Sequence, residues 1–216
     1  LPSPYIVLIT LQEELLNGEM LYHLGITLYR VLVSFSVAML IGVFFGILMG
    51  NNKNINNILD AWNIIFLNIP ALVLIILSYV WFGLTELAAI IAVSLNKIPN
   101  VIVTIREGAK TIDKQLLEVA SIYKVKKVKR FFVFYLPQLY PYLIASARGG
   151  ISLIWKIVLV VELLGRSNVV GFKLHEFFQF FDIAAILAYT FAFVLIMIII
   201  ENFIFLPLDR KANKWR

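Results

Sequence analysis

Five runs of apolar residues are separated by short polar stretches along the chain: about Leu21 to Met49, Ile58 to Phe82, Leu87 to Ile105, Leu139 to Leu164 and Ile183 to Leu206, here spans A to E. Each reaches the roughly 20 residues that a helix needs to cross about 30 Å of hydrocarbon. Ahead of span A, residues Tyr5 to Leu16 are apolar and then acidic, end at the stop signal Asn17-Gly18, and are too short to cross, which predicts an interfacial helix over about 5–16. The pattern predicts an all-α polytopic membrane protein with one transmembrane domain over 1–216. The chain opens Leu1-Pro2-Ser3-Pro4 with no initiator Met and no signal peptide in view, and a sixth helix upstream is expected.

Composition agrees. Of 216 residues 61% are hydrophobic and 15% charged, and the mean hydropathy is +0.90, well above a soluble domain. Lipid is therefore the expected solvent. Cysteine is absent, which excludes disulfides and thiolate metal sites. A net charge of +6 would suit nucleic acid, but the basic residues gather at span ends, with no surrounding soluble fold, so no nucleic acid is expected as a partner.

Their placement sets the orientation. Thirteen of the 19 Lys and Arg lie in the A-to-B loop (Lys53), between spans C and D (Arg106 to Arg130) and after span E (Arg210 to Arg216), and only Arg166 and Lys173 lie in the other loops. Basic loops stay cytoplasmic. This puts the C-terminus inside and the acidic stretch of Glu13, Glu14 and Glu19 outside.

Within the spans, Gly42, Gly46 and Gly50, preceded by Ala38, repeat every four residues and give span A a flat face for close helix approach. Packing within the chain is the expected use; a dimer seam is the other. Ionisable residues in a bilayer are costly and face a bundle interior or an aqueous path, so Lys97, Arg148, Lys156, Glu162 and Glu201 call for an explanation. On a helical wheel Arg148, Ser152, Trp155, Lys156 and Glu162 share an arc of about 120°. Arg148 is expected to snorkel to the interface. Ser152, Lys156 and Glu162 either pair with neighbouring helices or border a translocation path in which Lys156 favours an anion. Asn68 with Pro70 in span B, and Asn96 with Pro99 in span C, predict kinks whose freed backbone groups need polar partners. Trp62, Trp81 and Trp215 sit at segment ends, as interfacial anchors do.

The coupling loop 106–136 is too long and too patterned for a plain connector. Asp113 can cap a helix with Leu116, Val119, Ala120 and Tyr123 on one face and Glu118 nearly opposite. A basic run from Lys124 to Arg130 leads through Phe131 to Leu136 into Pro137, predicting two short helices against the membrane, ended by the proline. By charge alone this is a connector resting on anionic headgroups. Yet Glu118-Val119-Ala120, then Lys124, then Leu136-Pro137 resembles the EAA loop of binding-protein-dependent ABC importer permeases: Glu-Ala-Ala, three residues, Gly, and Leu-Pro with its Pro thirteen residues beyond the Gly. The resemblance is closest to the sulfonate, taurine and nitrate branch. It extends through Leu1 to Pro4, His23 to Val31, the glycine ladder, Trp81 to Leu87, Leu116 to Ala120 and Val169 to Leu174.

That resemblance implies a type I ABC importer transmembrane fold in a bacterial inner membrane, working by alternating access. Glu118, Val119, Ala120, Lys124, Leu136 and Pro137 would form the coupling contact with cytoplasmic ATPase subunits, which hold the ATP and Mg; this chain would bind no cofactor and no metal. A second permease copy, as a homodimer, and an external solute-binding protein would complete the importer of a small anionic solute (sulfonate, nitrate or vitamin-precursor class). Two positions depart from the motif. Lys124 replaces its Gly, where a left-handed backbone is expected and a side chain costs about 1 kcal/mol or more. Lys126 stands where relatives often place a capping Ser.

Catalytic chemistry is missing. His175-Glu176 lacks the second histidine of a zinc-protease helix, since position 179 is Gln179; His23 has no ligand-spaced partner; no GxxxxGK[ST] loop exists to hydrolyse ATP. The rival readings are an intramembrane enzyme using Glu162, Lys97 or His175, which lacks the usual cluster of such groups, and a channel or secondary transporter needing no ATPase, which leaves the patterned loop unexplained.

Overall fold

A computed structural model describes residues 2–16, 18–166 and 169–213. Leu1, Asn17, Lys214, Trp215 and Arg216, named above, lie outside the described residues. Regular structure among these residues is entirely helical: α1 (Pro4–Leu16), α2 (Met20–Asn51), α3 (Lys53–Asn68), α4 (Ala71–Phe82), α5 (Glu86–Lys110), α6 (Lys114–Ile122), α7 (Lys127–Arg130), α8 (Leu136–Gly165), α9 (Val170–Gln179), α10 (Ile183–Ile200) and α11 (Leu206–Asn213).

The bundle is organised around α2, α5 and α8. Helices α2 and α5 make the most extensive contact, and α8 lies against both. The glycine ladder permits it: a Cβ on Gly42 would fall 2.5 Å from the Val101 Cβ, one on Gly46 2.7 Å from the Ile105 Cβ, and one on Gly50 2.4 Å from the Ala109 Cβ. With no side chain there, α5 docks directly on the α2 backbone, within one chain. The main core lies beside this seam and joins Ile75, Val93, Ile154, Trp155, Val158 and Tyr189.

The structure adds detail at four places, and at the last of them it overturns the sequence reading. Residues 4–16 form helix α1. It packs along α10, with Val7 buried and the Tyr189 hydroxyl donating to the Glu14 carboxylate at 3.2 Å. Its first turn and a half, Pro4 to Ile9, is apolar, and its polar residues gather in the second half. The kink expected at Asn68 and Pro70 in span B is a turn of 96° between α3 and α4 at Asn68-Ile69-Pro70, where Pro70 forces the residue before it out of helical geometry. Alone, α4 spans only about 18 Å, so this element crosses, if counted as one span, as a broken pair. Helix α5, by contrast, continues through Pro99 from Glu86 to Lys110.

The fourth place is the Leu-Pro pairs. Pro137 does not end a helix, because α7 runs through a π turn (Phe131–Tyr135) directly into α8. A second π turn, Glu201–Phe205, joins α10 to α11 ahead of Leu206-Pro207 in the same way. A π turn widens the helix by one residue, which accommodates the proline ring and its missing N–H without a stop. The basic segment Lys127–Arg130 is thus the first turn of a long membrane helix.

Candidate coupling elbow and translocation surface

The elbow is built by α6 and the turn that follows it. The Asp113 carboxylate caps α6, accepting from the Gln115 and Leu116 N–H groups at 2.8 and 3.3 Å. Gln138 of α8 accepts from the Asp113 N–H at 2.9 Å, which ties the cap to the long helix. At the other end Lys124 has φ +51°, and its N–H donates to the Ser121 carbonyl at 2.9 Å while that of Val125 donates to the Ala120 carbonyl at 3.0 Å. This is a Schellman cap with lysine in the left-handed position usually held by glycine. Lys126 then sits at the start of α7 with no side-chain cap bond, in line with its replacing a capping Ser.

The cap decides what α6 displays. Ala120 is buried and Leu117 packs inward toward Val101, Ile105 and Leu139. Leu116, Val119, Ile122 and Tyr123 face outward, the last two 77% and 79% exposed. Glu118 is exposed beside them and lines a cleft of about 590 Å³ with Lys114, Ser121, Lys127, Arg130, Phe131 and Tyr135. Leu136 is half-buried and Pro137 exposed, at the start of α8. The site therefore offers an apolar knuckle beside a carboxylate and a basic rim.

The intramembrane residues divide. Glu162 is fully buried and clamped, so it does not line an open face. Its carboxylate accepts from the Arg30 guanidinium, from the Thr27 hydroxyl at 3.1 Å and from the Gly171 N–H at 2.9 Å. Arg30 also makes a bidentate pair with Glu86, at 2.9 and 2.6 Å, and Arg166 donates to the same Glu86 at 2.7 Å. This knot ties α2, α5, α8 and α9. Of the two readings left open for Glu162, pairing with a neighbouring helix is the one found, with a partner 132 positions away that the wheel could not name. The available signal was Arg30 itself, a guanidinium within span A.

Arg148 pairs with Glu201 and lies 3.8 Å from Asp209, so it is held by the last helix and does not merely snorkel. Ser152 and Lys156 remain on the exposed face of α8, with Gly149, and Lys156 has no ion pair among the described residues. Trp155, placed on the same stripe by the wheel, is buried against Phe193. Asn68 sits at the α3–α4 corner and donates to the Ile64 carbonyl at 2.7 Å. Asn96 is half-buried in α5. No hydrogen bond joins either asparagine to Ser152 or Lys156 among the described residues.

A helical bundle with a capped, exposed elbow at its basic end and polar residues on an otherwise apolar open face defines a multi-pass membrane permease. The chain belongs to the family described as the binding-protein-dependent transport system inner membrane component, which matches residues 38–209. It is 29% identical over its full length to an aliphatic sulfonates transport permease protein of Bacillus subtilis (strain 168), covering 78% of that protein. It is also 29% identical over 181 residues to a nitrate import permease protein of Synechocystis, covering 80% of this chain and 66% of that one. Its relatives thus lie in the sulfonate, taurine and nitrate branch. Among solved structures, that of an amino acid ABC transporter with histidines superposes with a TM-score of 0.65 at 16% identity, over 100% of this chain and 98% of that one, and shows the shared fold. The protein is accordingly a non-catalytic, inner-membrane transport subunit of an ABC importer.

Proposed function

We propose that this chain forms half of a translocation pathway for a small anionic solute of the sulfonate or nitrate class, opened and closed by a separate ATPase gripping the α6 elbow. The observation that carries the reading is the exposed knuckle of Val119, Ile122 and Tyr123. Large apolar side chains at a helix end, next to Glu118 and a basic rim, suit a protein partner better than water. Because Gln138 binds the α6 cap and α7 continues into α8, a push on the elbow reaches α8 directly. Positive charge on the A-to-B loop, the elbow and the C-terminus supports a cytoplasmic placement of all three. A second copy of this chain and an external solute-binding protein complete the assembly. ATP and Mg belong to the ATPase.

Two relatives' names carry the solute class, aliphatic sulfonates and nitrate, and the chain's own open face fits it. Ser152 and unpaired Lys156 on α8 would be costly against lipid and are favourable along an aqueous path for an anion. The test is assembly and transport. Ile122→Asp should abolish co-purification of the ATPase and ATP-driven uptake while the chain still inserts; retention of both would remove α6 as the coupling contact.

A further inference from the structure

Lys97 is a buried cation with no counter-ion. It is 5% exposed and makes no hydrogen bond or ion pair among the described residues. It is the twelfth residue of the 25-residue α5, beside Gly150, the 24th of the 39 in the continuous helix Lys127–Gly165, and near the level of Phe35, the sixteenth of the 32 in α2. All three helices therefore place it near mid-depth of the membrane, where an uncompensated charge is most costly. Among the described residues, the acids of the four long candidate spans and of the bent α3–α4 pair lie with other cations: Asp60 and Glu107 with Arg106, Glu86 and Glu162 with Arg30, Glu201 and Asp209 with Arg148.

The surroundings form a notch. A Cβ on Gly150 would lie 3.1 Å from the Lys97 Cε and 3.7 Å from its Nζ, and 3.5 Å from the Phe35 ring, whereas a Cβ on Gly149 would meet nothing within 4 Å. Gly150 thus places no side chain over the ammonium, and its neighbour Gly149 opens on the exposed face of α8 that carries Ser152 and Lys156. One turn before Lys97, the Ser94 hydroxyl donates to the Ser34 carbonyl at 3.3 Å. The Ser34 hydroxyl is itself buried and unpartnered. A cation and a free hydroxyl at one depth both seek an acceptor.

We propose that Lys97 is the mid-membrane recognition point for the transported solute: its ammonium, reached through the Gly149-Gly150 notch, is the charge that a monovalent oxyanion neutralises as it passes. This rests on the permease reading above and adds the residue and the charge class. A passing anion supplies the missing acceptor only transiently, and a single ammonium with neutral neighbours does not trap it.

The test uses the importer assembled with its ATPase and solute-binding protein in proteoliposomes, with isotopically labelled nitrate and methanesulfonate as probes. Lys97→Gln should lower uptake of whichever anion the wild type carries by about tenfold or more, and Lys97→Arg should keep it within about threefold, since both cations can hold an oxyanion. Uptake by Lys97→Gln within about twofold of wild type would overturn the proposal. So would a wild-type importer that hydrolyses ATP with its binding protein yet carries only neutral or cationic solutes, a result that leaves the importer reading standing. Loss of ATPase assembly in the wild type would instead count against that reading. A second measurement needs no variant. Acylation of Lys97 by a small membrane-permeant amine reagent, followed by peptide mass spectrometry on the wild-type chain, should fall when the same anions saturate it, and equal labelling with and without them would contradict the site.

Discussion

The two ends of this bundle are held by opposite means. At one end Arg30, Glu86, Glu162 and Arg166 knot four elements together, with Arg30 and Glu162 fully buried. At the other, α6 hangs from two caps, the Asp113 carboxylate and the left-handed Lys124, and leaves its apolar knuckle exposed. Charges in a low-dielectric setting fix geometry because a lost partner is costly, whereas hydrogen-bonded caps position a short helix and leave its surface free. One end is built to resist rearrangement and the other to be held by a second protein.

Breaking the knot should have the largest effect. Glu162→Ala leaves the Arg30 guanidinium buried against one partner and should cost about 3–5 kcal/mol, seen as a large fall in thermal unfolding temperature in detergent. The double variant Arg30→Met with Glu162→Leu should recover much of that loss, because no charge is then stranded. Gly42→Val comes next: its new Cβ would fall 2.5 Å from the Val101 Cβ, and overpacking of this kind costs about 1–3 kcal/mol, measurable in the same assay. At the elbow, Lys124→Gly relieves a left-handed side chain and should stabilise the turn by about 1 kcal/mol. Coupled ATP hydrolysis should be intact or improved; its collapse would mean that the lysine makes a required contact. Smallest of all in stability is Ile122→Asp, expected within about 0.5 kcal/mol of wild type because the side chain touches little of its own chain. That contrast, stability lost at the knot and assembly lost at the elbow, is what separates the two ends.

What the sequence made legible follows from the range of each signal. Local patterns carried far: the four-residue glycine spacing corresponds to the α2–α5 seam, and the motif position of Lys124 corresponds to a positive φ. Long-range pairings did not. Arg30 meets Glu162 and Glu86 across 132 and 56 positions, and no helical wheel relates residues on different helices. The wheel grouped Glu162 with Lys156 although packing buries one and exposes the other. Proline was read correctly at Pro70, where the expected kink is present, and wrongly at Pro137, which does not end its helix. Pro70 produces a sharp corner, Pro99 lies within a continuous helix, and Pro137 and Pro207 follow π turns. The residue is the same in each case, so the outcome depends on whether neighbouring helices and an inserted residue can satisfy the backbone around it.

The most direct test exploits the absence of cysteine in the chain. Glu118→Cys provides a single thiol on the elbow, which a membrane-impermeant thiol reagent can reach from only one side of the membrane. The account predicts labelling in inside-out vesicles, little in right-side-out vesicles, and protection when the partner ATPase is bound. Labelling from the outer side, or labelling from the cytosol that the bound ATPase leaves unchanged, would contradict it.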